Sequence, residues 1–235
     1  MPKIVFLIDV DNTLLDNDEV KQELNSALLS EIGEKLTADF WKLYEQVRKE
    51  AGVIDIPLTL ARLRNQTPLE EMDELTYQHV HSIFDHFPFQ KVLYPRAIET
   101  LEHLRTIGTP VIVSDGDFNF QAEKILNSSI ADAVEGKVLL YTHKQDHLPE
   151  ILRLYPADHY VMIDDKPSIL ADVKKALGEK VTTVFVKQGK YAHEPLPEGF
   201  ALDISIEQIA DLQRNKQEDF LPMHEETNTN DTKRG

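Results

Sequence analysis

Three short apolar runs in this chain each break off on polar residues. Val5-Phe6-Leu7-Ile8 runs into Asp9, with Asp11, Asn12 and Thr13 close behind; Val111-Ile112-Val113 ends on Ser114; Tyr160-Val161-Met162-Ile163 ends on Asp164 and Asp165. A continuous apolar run bounded by polar residues is the pattern of a strand buried on both faces. Functional groups in an open parallel sheet collect beyond the carboxyl ends of the strands. The three tips, far apart in sequence, are therefore expected to meet in one site.

The pattern between them changes twice. Val20, Leu24, Ala27, Leu28 and Ile32 recur at helical spacing, with Asn17 or Asp18 as the cap and Gly33 as the stop. A second helical piece opens at Thr37, carries Phe40, Trp41, Leu43, Tyr44 and Val47, and ends near Gly52. Pro57 starts a short helix through Arg64, and Thr67-Pro68-Leu69-Glu70 reads as a capping box for a helix through Ile83. No strand pattern interrupts this stretch, which predicts a helical insertion over residues 17–87. From Tyr94 onward helices and strands alternate. Apolar stretches at Val138–Tyr141 and Val181–Val186 add two strands, and Ser205–Leu212 reads as a closing helix with Ser205 and Gln208 as its capping box. Alternation of this kind implies a parallel sheet with right-handed crossovers. The expected fold class is α/β: a Rossmann-like parallel sheet core, residues 1–16 and 88–213, with a helical cap inserted after the first strand. Residues 214–235 are polar and expected to be a mobile tail.

Composition narrows the function classes. A formal net charge of -16 over 235 residues argues against nucleic-acid binding, which needs lysine and arginine to displace counterions. Cysteine is absent, so there is no disulfide framework and no thiolate nucleophile, which fits a reducing, cytoplasmic location. The apolar start at Ile4–Ile8 is too short for a signal segment, and no stretch approaches membrane-spanning length. A soluble protein without nucleic-acid or membrane partners is expected, of undetermined oligomeric state.

The polar tips suggest phosphoryl chemistry. A carboxylate at Asp9 attacking phosphorus would form an aspartyl-phosphate and split one hard displacement into two easier ones. Asp11 would protonate the leaving oxygen and then activate water. Paired acids also offer Mg²⁺ an oxygen-rich corner, which Asp164 or Asp165 would complete. Ser114 and the following amide, that of Asp115, would hold phosphoryl oxygens, with Thr13 counted in the same substrate-binding set. A lysine is needed beside the developing charge. Lys144 follows the fourth apolar stretch and shares the functional sheet edge, whereas Lys137 precedes that stretch and Lys166 lies beyond the acidic pair.

These residues resemble the motifs of the haloacid dehalogenase superfamily. Asp9-Val10-Asp11-Asn12-Thr13-Leu14 is similar to its D-x-D-x-T-L motif, in which the first Asp is the nucleophile and the second the acid/base. Ser114, Lys144 and Ile163-Asp164-Asp165 resemble its second, third and fourth motifs, and the helical insertion resembles a C1 cap. The resemblance implies Mg²⁺ held by the Asp9 carboxylate, the Asp11 backbone carbonyl and Asp164, with Asp165 in support. It implies a phosphatase acting on a small phosphorylated metabolite. Dehalogenases of this superfamily lack an acid at the position of Asp11, because departing halide needs no proton. A phosphotransferase or mutase would use the same groups, and a non-catalytic metal- or ligand-binding member would keep the same fold. A phosphorelay receiver domain is disfavoured because its acidic pair follows the first strand. In the insertion, Arg48, Arg62, Arg64, His79, His81 and His86 are read as solvated helix faces, and Trp41 and Tyr44 as packing residues.

Overall fold

A computed structural model describes residues 2–52, 54–116 and 118–222. Six parallel strands lie in the order β3-β2-β1-β4-β5-β6. They are β1 (Ile4–Ile8), β2 (Thr109–Asp115), β3 (Val138–Tyr141), β4 (His159–Asp164), β5 (Val181–Val186) and β6 (Ile204–Ile206). Every residue of β1 is buried, and alternate side chains serve opposite layers. Val5 and Leu7 pack with Leu148 and Ile151 of α7 (Leu148–Leu154) and with Leu170 and Val173 of α8 (Pro167–Leu177). Ile4, Phe6 and Ile8 share the other layer with Leu101 and Leu104 of α4 (Ala97–Ile107) and Ile125 of α5 (Phe118–Asn127). Short α6 (Ile130–Ala133) completes that layer. Strand order reverses direction at β1, so the crevice at the carboxyl ends of β1 and β4 is the switch point where such sheets bind ligands.

Between β1 and α4 the elements are helical: α1 (Asn17–Ala51), α2 (Ile56–Gln66) and α3 (Glu74–Asp85), then a 3₁₀ turn at Phe89–Val92. Gly33 interrupts α1 with φ 69° and ψ 178°, a conformation that glycine adopts without a Cβ penalty. Beyond it the chain folds back, and Trp41 Nε1 donates to Asn25 Oδ1 at 2.8 Å. In an uninterrupted helix those residues would stand about 24 Å apart. The chain leaves and re-enters the sheet region through paired segments, with Asp16 N donating to Val92 O at 2.8 Å and Tyr94 N to Leu14 O at 3.0 Å.

Three local expectations are corrected. Thr67 does not start a helix but ends one: it is the C-cap of α2, its hydroxyl donates back to Leu63 O at 2.7 Å, and α3 starts at Glu74 on an Asp73 cap whose carboxylate accepts from Thr76 N. Ser205 lies in β6, because the open edge of β5 offers backbone partners that a helix there would leave unmet; the capping box forms at Gln208 and Asp211 on a 3₁₀ turn, Ile209–Arg214. The segment expected to be mobile from residue 214 is packed as far as Pro222. Phe220 is fully buried edge-on against Phe6 at 5.2 Å, and its carbonyl accepts from Thr182 Oγ1 at 2.8 Å. The rest of that tail, 223–235, lies outside the described residues. Among the described residues no helix is long and apolar enough to cross a membrane.

Candidate functional site

Asp9 leaves β1 with its amide still donating to Ile163 O of β4 at 3.0 Å, so the β1 and β4 tips are tied side by side. Lys144, just past β3, enters this gap beneath β2. Its ammonium pairs with Asp9 Oδ1, lies 2.7 Å from Asp164 Oδ2 and donates to Val113 O at 3.2 Å. Lys144, Asp9, Asp164 and Asp165 are all at most 2% exposed. A lone ammonium at that depth would lose its proton. Burial does pull Lys144 down, but Asp164, Asp9 and Asp115 outweigh it and hold it above the ordinary lysine range.

The carboxylates outnumber that cation. Burial is the main force raising Asp9, and Asp164 adds to it; against the pull of Lys144 its pKa reaches about 6. Asp165 is pushed up to about 9 by burial and by the charges of Asp9 and Asp164. Asp9 Oδ2 and both oxygens of Asp165 are buried without a hydrogen-bond partner. One donor atom from each of Asp9, Asp164 and Asp165 falls within 4.8 Å of the others. Buried, unpartnered carboxylate oxygens converging in this way fit a hard divalent cation. Asp11 does not join the cluster through its carboxylate, so of the metal-ligand set expected from sequence only its backbone is left to contribute.

Asp11 has its own partners. Lys124 Nζ, on α5 and 1% exposed, meets Asp11 Oδ1 at 2.5 Å and Asn17 Oδ1 at 3.1 Å, while Gln121 Nε2 donates to Asp11 Oδ2 at 3.0 Å. Burial would raise Asp11, yet Lys124 and Gln121 prevail and hold it below the usual carboxylate range. Sequence reasoning missed both. Their trace was present: Gln121, Lys124 and Ile125, spaced i, i+3, i+4, form a buried stripe of α5 that Ser128, just past its end, continues at i+7. Polar residues on a core-facing stripe need partners.

The remaining expected residues are also at these strand tips. Ser114 Oγ and Thr13 Oγ1 are buried with no hydrogen-bond partner, as hydroxyls kept for a ligand would be. Asp115 instead braces the lysine, with Oδ1 accepting from the Lys144 amide at 2.7 Å. Lys166, set aside as the catalytic lysine, still borders the site: its amide donates to Asp164 Oδ1 at 2.9 Å, and Asp9 and Asp164 raise its ammonium against the opposing effect of burial.

A cavity of about 140 Å³ opens between this cluster and the helices of the insertion. Asp11, Asp115, Gly116 and Lys166 form its sheet side, and Leu24, Trp41, Tyr44, Phe84 and Phe120 its apolar walls. Trp41 and Tyr44 therefore pack and line the cavity at once. Arg48 also lines it, unlike the solvated residue expected, because the turn at Gly33 returns the second half of α1 to the cavity mouth. Arg62 and Arg64 pair with Glu50 and Glu74, and His79 and His81 with Glu31 and Asp85, on the surface.

No family model matches the chain, and no curated protein does. Among solved structures, a haloacid dehalogenase-like hydrolase from Burkholderia xenovorans LB400 is 42% identical, with 91% of this chain and 99% of that one covered and a TM-score of 0.80. The fold also matches the HAD-hydrolase YfnB from Bacillus subtilis bound to magnesium (14% identity, 90% and 97% covered, TM-score 0.60). The L-2-haloacid dehalogenase from Xanthobacter autotrophicus with chloropropionic acid covalently bound matches too (16%, 91% and 98%, 0.56). At those identities the last two speak for the fold alone. The chain belongs to the haloacid dehalogenase-like hydrolases, with the Rossmann-like sheet of that superfamily.

Proposed function

We propose that this hydrolase is a Mg²⁺-dependent phosphatase of small phosphorylated metabolites, working through an aspartyl-phosphate. The observation that carries this reading is the buried Asp9–Asp164–Asp165 cluster with its unpartnered oxygens beside a buried ammonium. Asp9, Asp164 and Asp165 would hold Mg²⁺, which offsets carboxylate–phosphate repulsion when bound. Asp9 attacks phosphorus and the ester P–O bond breaks. The departing oxygen takes a proton from Asp11, which gains it when the phosphoryl dianion raises its pKa against Lys124. Asp11 then takes a proton from the water that attacks the same phosphorus, releasing phosphate and restoring Asp9. Ser114, Thr13 and Lys144 bind phosphoryl oxygens, with the Asp115 amide. Residues 17–87 serve as a C1-type cap over a core of 1–16 and 88–213, closing on the substrate and excluding bulk water. The lack of cysteine fits a cytoplasmic location.

Asp11 favours this reading over dehalogenation, in which halide leaves unprotonated. The test is phosphate release from p-nitrophenyl phosphate and a panel of small phosphomonoesters, run with Mg²⁺ and with EDTA, alongside chloride release from 2-chloropropionate. Mg²⁺-dependent phosphate release that Asp9→Asn abolishes is expected. Chloride release without phosphate release, or phosphatase activity surviving Asp9→Asn, would overturn it. Phosphate appearing on an added alcohol instead of in solution would indicate a phosphotransferase.

A further inference from the structure

Five cations and two carboxylates line the cavity. Lys124 is committed to Asp11, and Lys166 faces the Asp9 cluster. Lys21, Arg48 and Lys190 remain, and none of them pairs with Asp9 or Asp164. Three separate segments bring them together. Lys21 and Arg48 would be roughly 40 Å apart on a straight helix, but the turn at Gly33 folds one half of α1 onto the other. Lys190 arrives from the loop after β5, which is seated hard against the D-x-D turn. A Cβ on Gly189 would fall 2.4 Å from Asn12 Cγ, and Gly189 has φ +61°. The Lys190 amide then donates to Asp18 Oδ2 at 2.9 Å, fixing the loop to the first turn of α1.

Among the described residues neither Lys21 nor Lys190 has a carboxylate within ion-pair distance, and Arg48 has only an exposed contact to Glu45 at 3.5 Å. Burial and the charges of Lys190 and Arg48 lower the Lys21 ammonium, against the opposing pull of Asp11 and Asp18. Gathering like charges at one end of a cavity is unfavourable unless an anion completes the set.

We infer that Lys21, Arg48 and Lys190 receive a second anionic group, so that the substrate is a phosphomonoester bearing a carboxylate or another phosphate at the end remote from the reacting phosphoryl. This rests on the phosphatase reading for the identity of the reacting group. The apolar walls contact the body between the two charged ends, and a neutral-ended ester offers the three cations no anion to bind.

The test compares butyl phosphate, 4-phosphooxybutanoate and butane-1,4-diyl bisphosphate, with the propyl and pentyl series alongside, in wild type and in Lys21→Met, Arg48→Gln and Lys190→Met. In the wild type at least one doubly charged series should exceed the plain esters in kcat/KM by about ten-fold or more, mostly through KM. Which series leads tells carboxylate from phosphate. The preference should collapse toward one in Lys21→Met and Lys190→Met. As a ratio measured within each variant, it is insensitive to partial loss of folded enzyme. A ratio near one in the wild type, or one unchanged in all three variants, would overturn the inference. If no ester is turned over, the phosphatase reading fails, and calorimetric binding of the same compounds still decides this point. Tighter binding of the doubly charged members that Lys21→Met removes would support it; equal affinities would sink it.

Discussion

Replacing Lys124 by methionine isolates the interaction that sequence reasoning missed. The ammonium is 1% exposed and 2.5 Å from Asp11 Oδ1, while the Asp11 side chain is 22% exposed. Removing one partner of a buried ion pair costs about 3–5 kcal/mol, because the other charge is left without compensation. Asp11 keeps some access to solvent and the Gln121 hydrogen bond, so Lys124→Met should sit at the lower end, about 3 kcal/mol. Asp11→Asn leaves the deeper group with neutral neighbours, Asn17 and the Phe120 ring, and should cost about 4 kcal/mol. The double variant strands neither charge. It should cost about as much as the worse single change, giving a coupling energy of about 3 kcal/mol in the cycle. Urea unfolding of the full chain and the three variants at pH 7 measures it. The pH dependence gives a second reading. Asp11 is held below its unfolded value of 3.8, so its contribution is fully present above that value and lost as pH falls through the folded one. Lys124→Met should flatten that acid loss and, because Asp11 is the acid of the first step, move the alkaline limb of kcat/KM to higher pH. A coupling below about 0.5 kcal/mol would refute the argument, since the two residues would then act as independent sites.

Other outcomes follow from single contacts. Gly189→Ala forces a Cβ into Asn12 at a positive φ, and should cost about 1–3 kcal/mol and disturb turnover together; a neutral result by thermal unfolding would mean that the loop does not rest on the D-x-D turn. Phe220→Ala removes a fully buried ring packed on Phe6 and should cost about 3–5 kcal/mol, whereas a shift below about 1 kcal/mol would show that the 217–220 turn contributes no packing in solution. His159 Nε2 donates to Thr182 Oγ1 at 2.9 Å, and burial and Lys174 hold its pKa below the unfolded 6.5. The unfolded chain therefore takes up this proton first, so stability falls as pH drops below 6.5. In paired urea titrations at pH 7.5 and 5.5, His159→Gln should lose less than wild type; equal losses would remove His159 from the account.

The sequence by itself determined the elements whose pattern has one physical solution. Ile4–Ile8 is apolar at every position, so it can be satisfied only between two layers, and the runs Val111–Val113 and Tyr160–Ile163 inside β2 and β4 follow the same logic. Because parallel strands put their carboxyl ends on one edge, the residues that end those runs were bound to converge, and Asp9, Ser114, Lys144, Asp164 and Asp165 do. The tertiary structure decided what depends on which surface meets which. Thr67 and Ser205 carry valid capping patterns, but local signals of that size yield to a buried helix end and an open sheet edge. Gln121 and Lys124 look like solvated helix residues until α5 packs with that face on Asp11. Lys21, Arg48 and Lys190 become neighbours only because Gly33 reverses α1 and Gly189 lets a distant loop lie against Asn12. Hydrophobic periodicity acts over a few residues and is written in the chain. Charge pairing and cavity shape act between segments, and exist only once the sheet has brought those segments together.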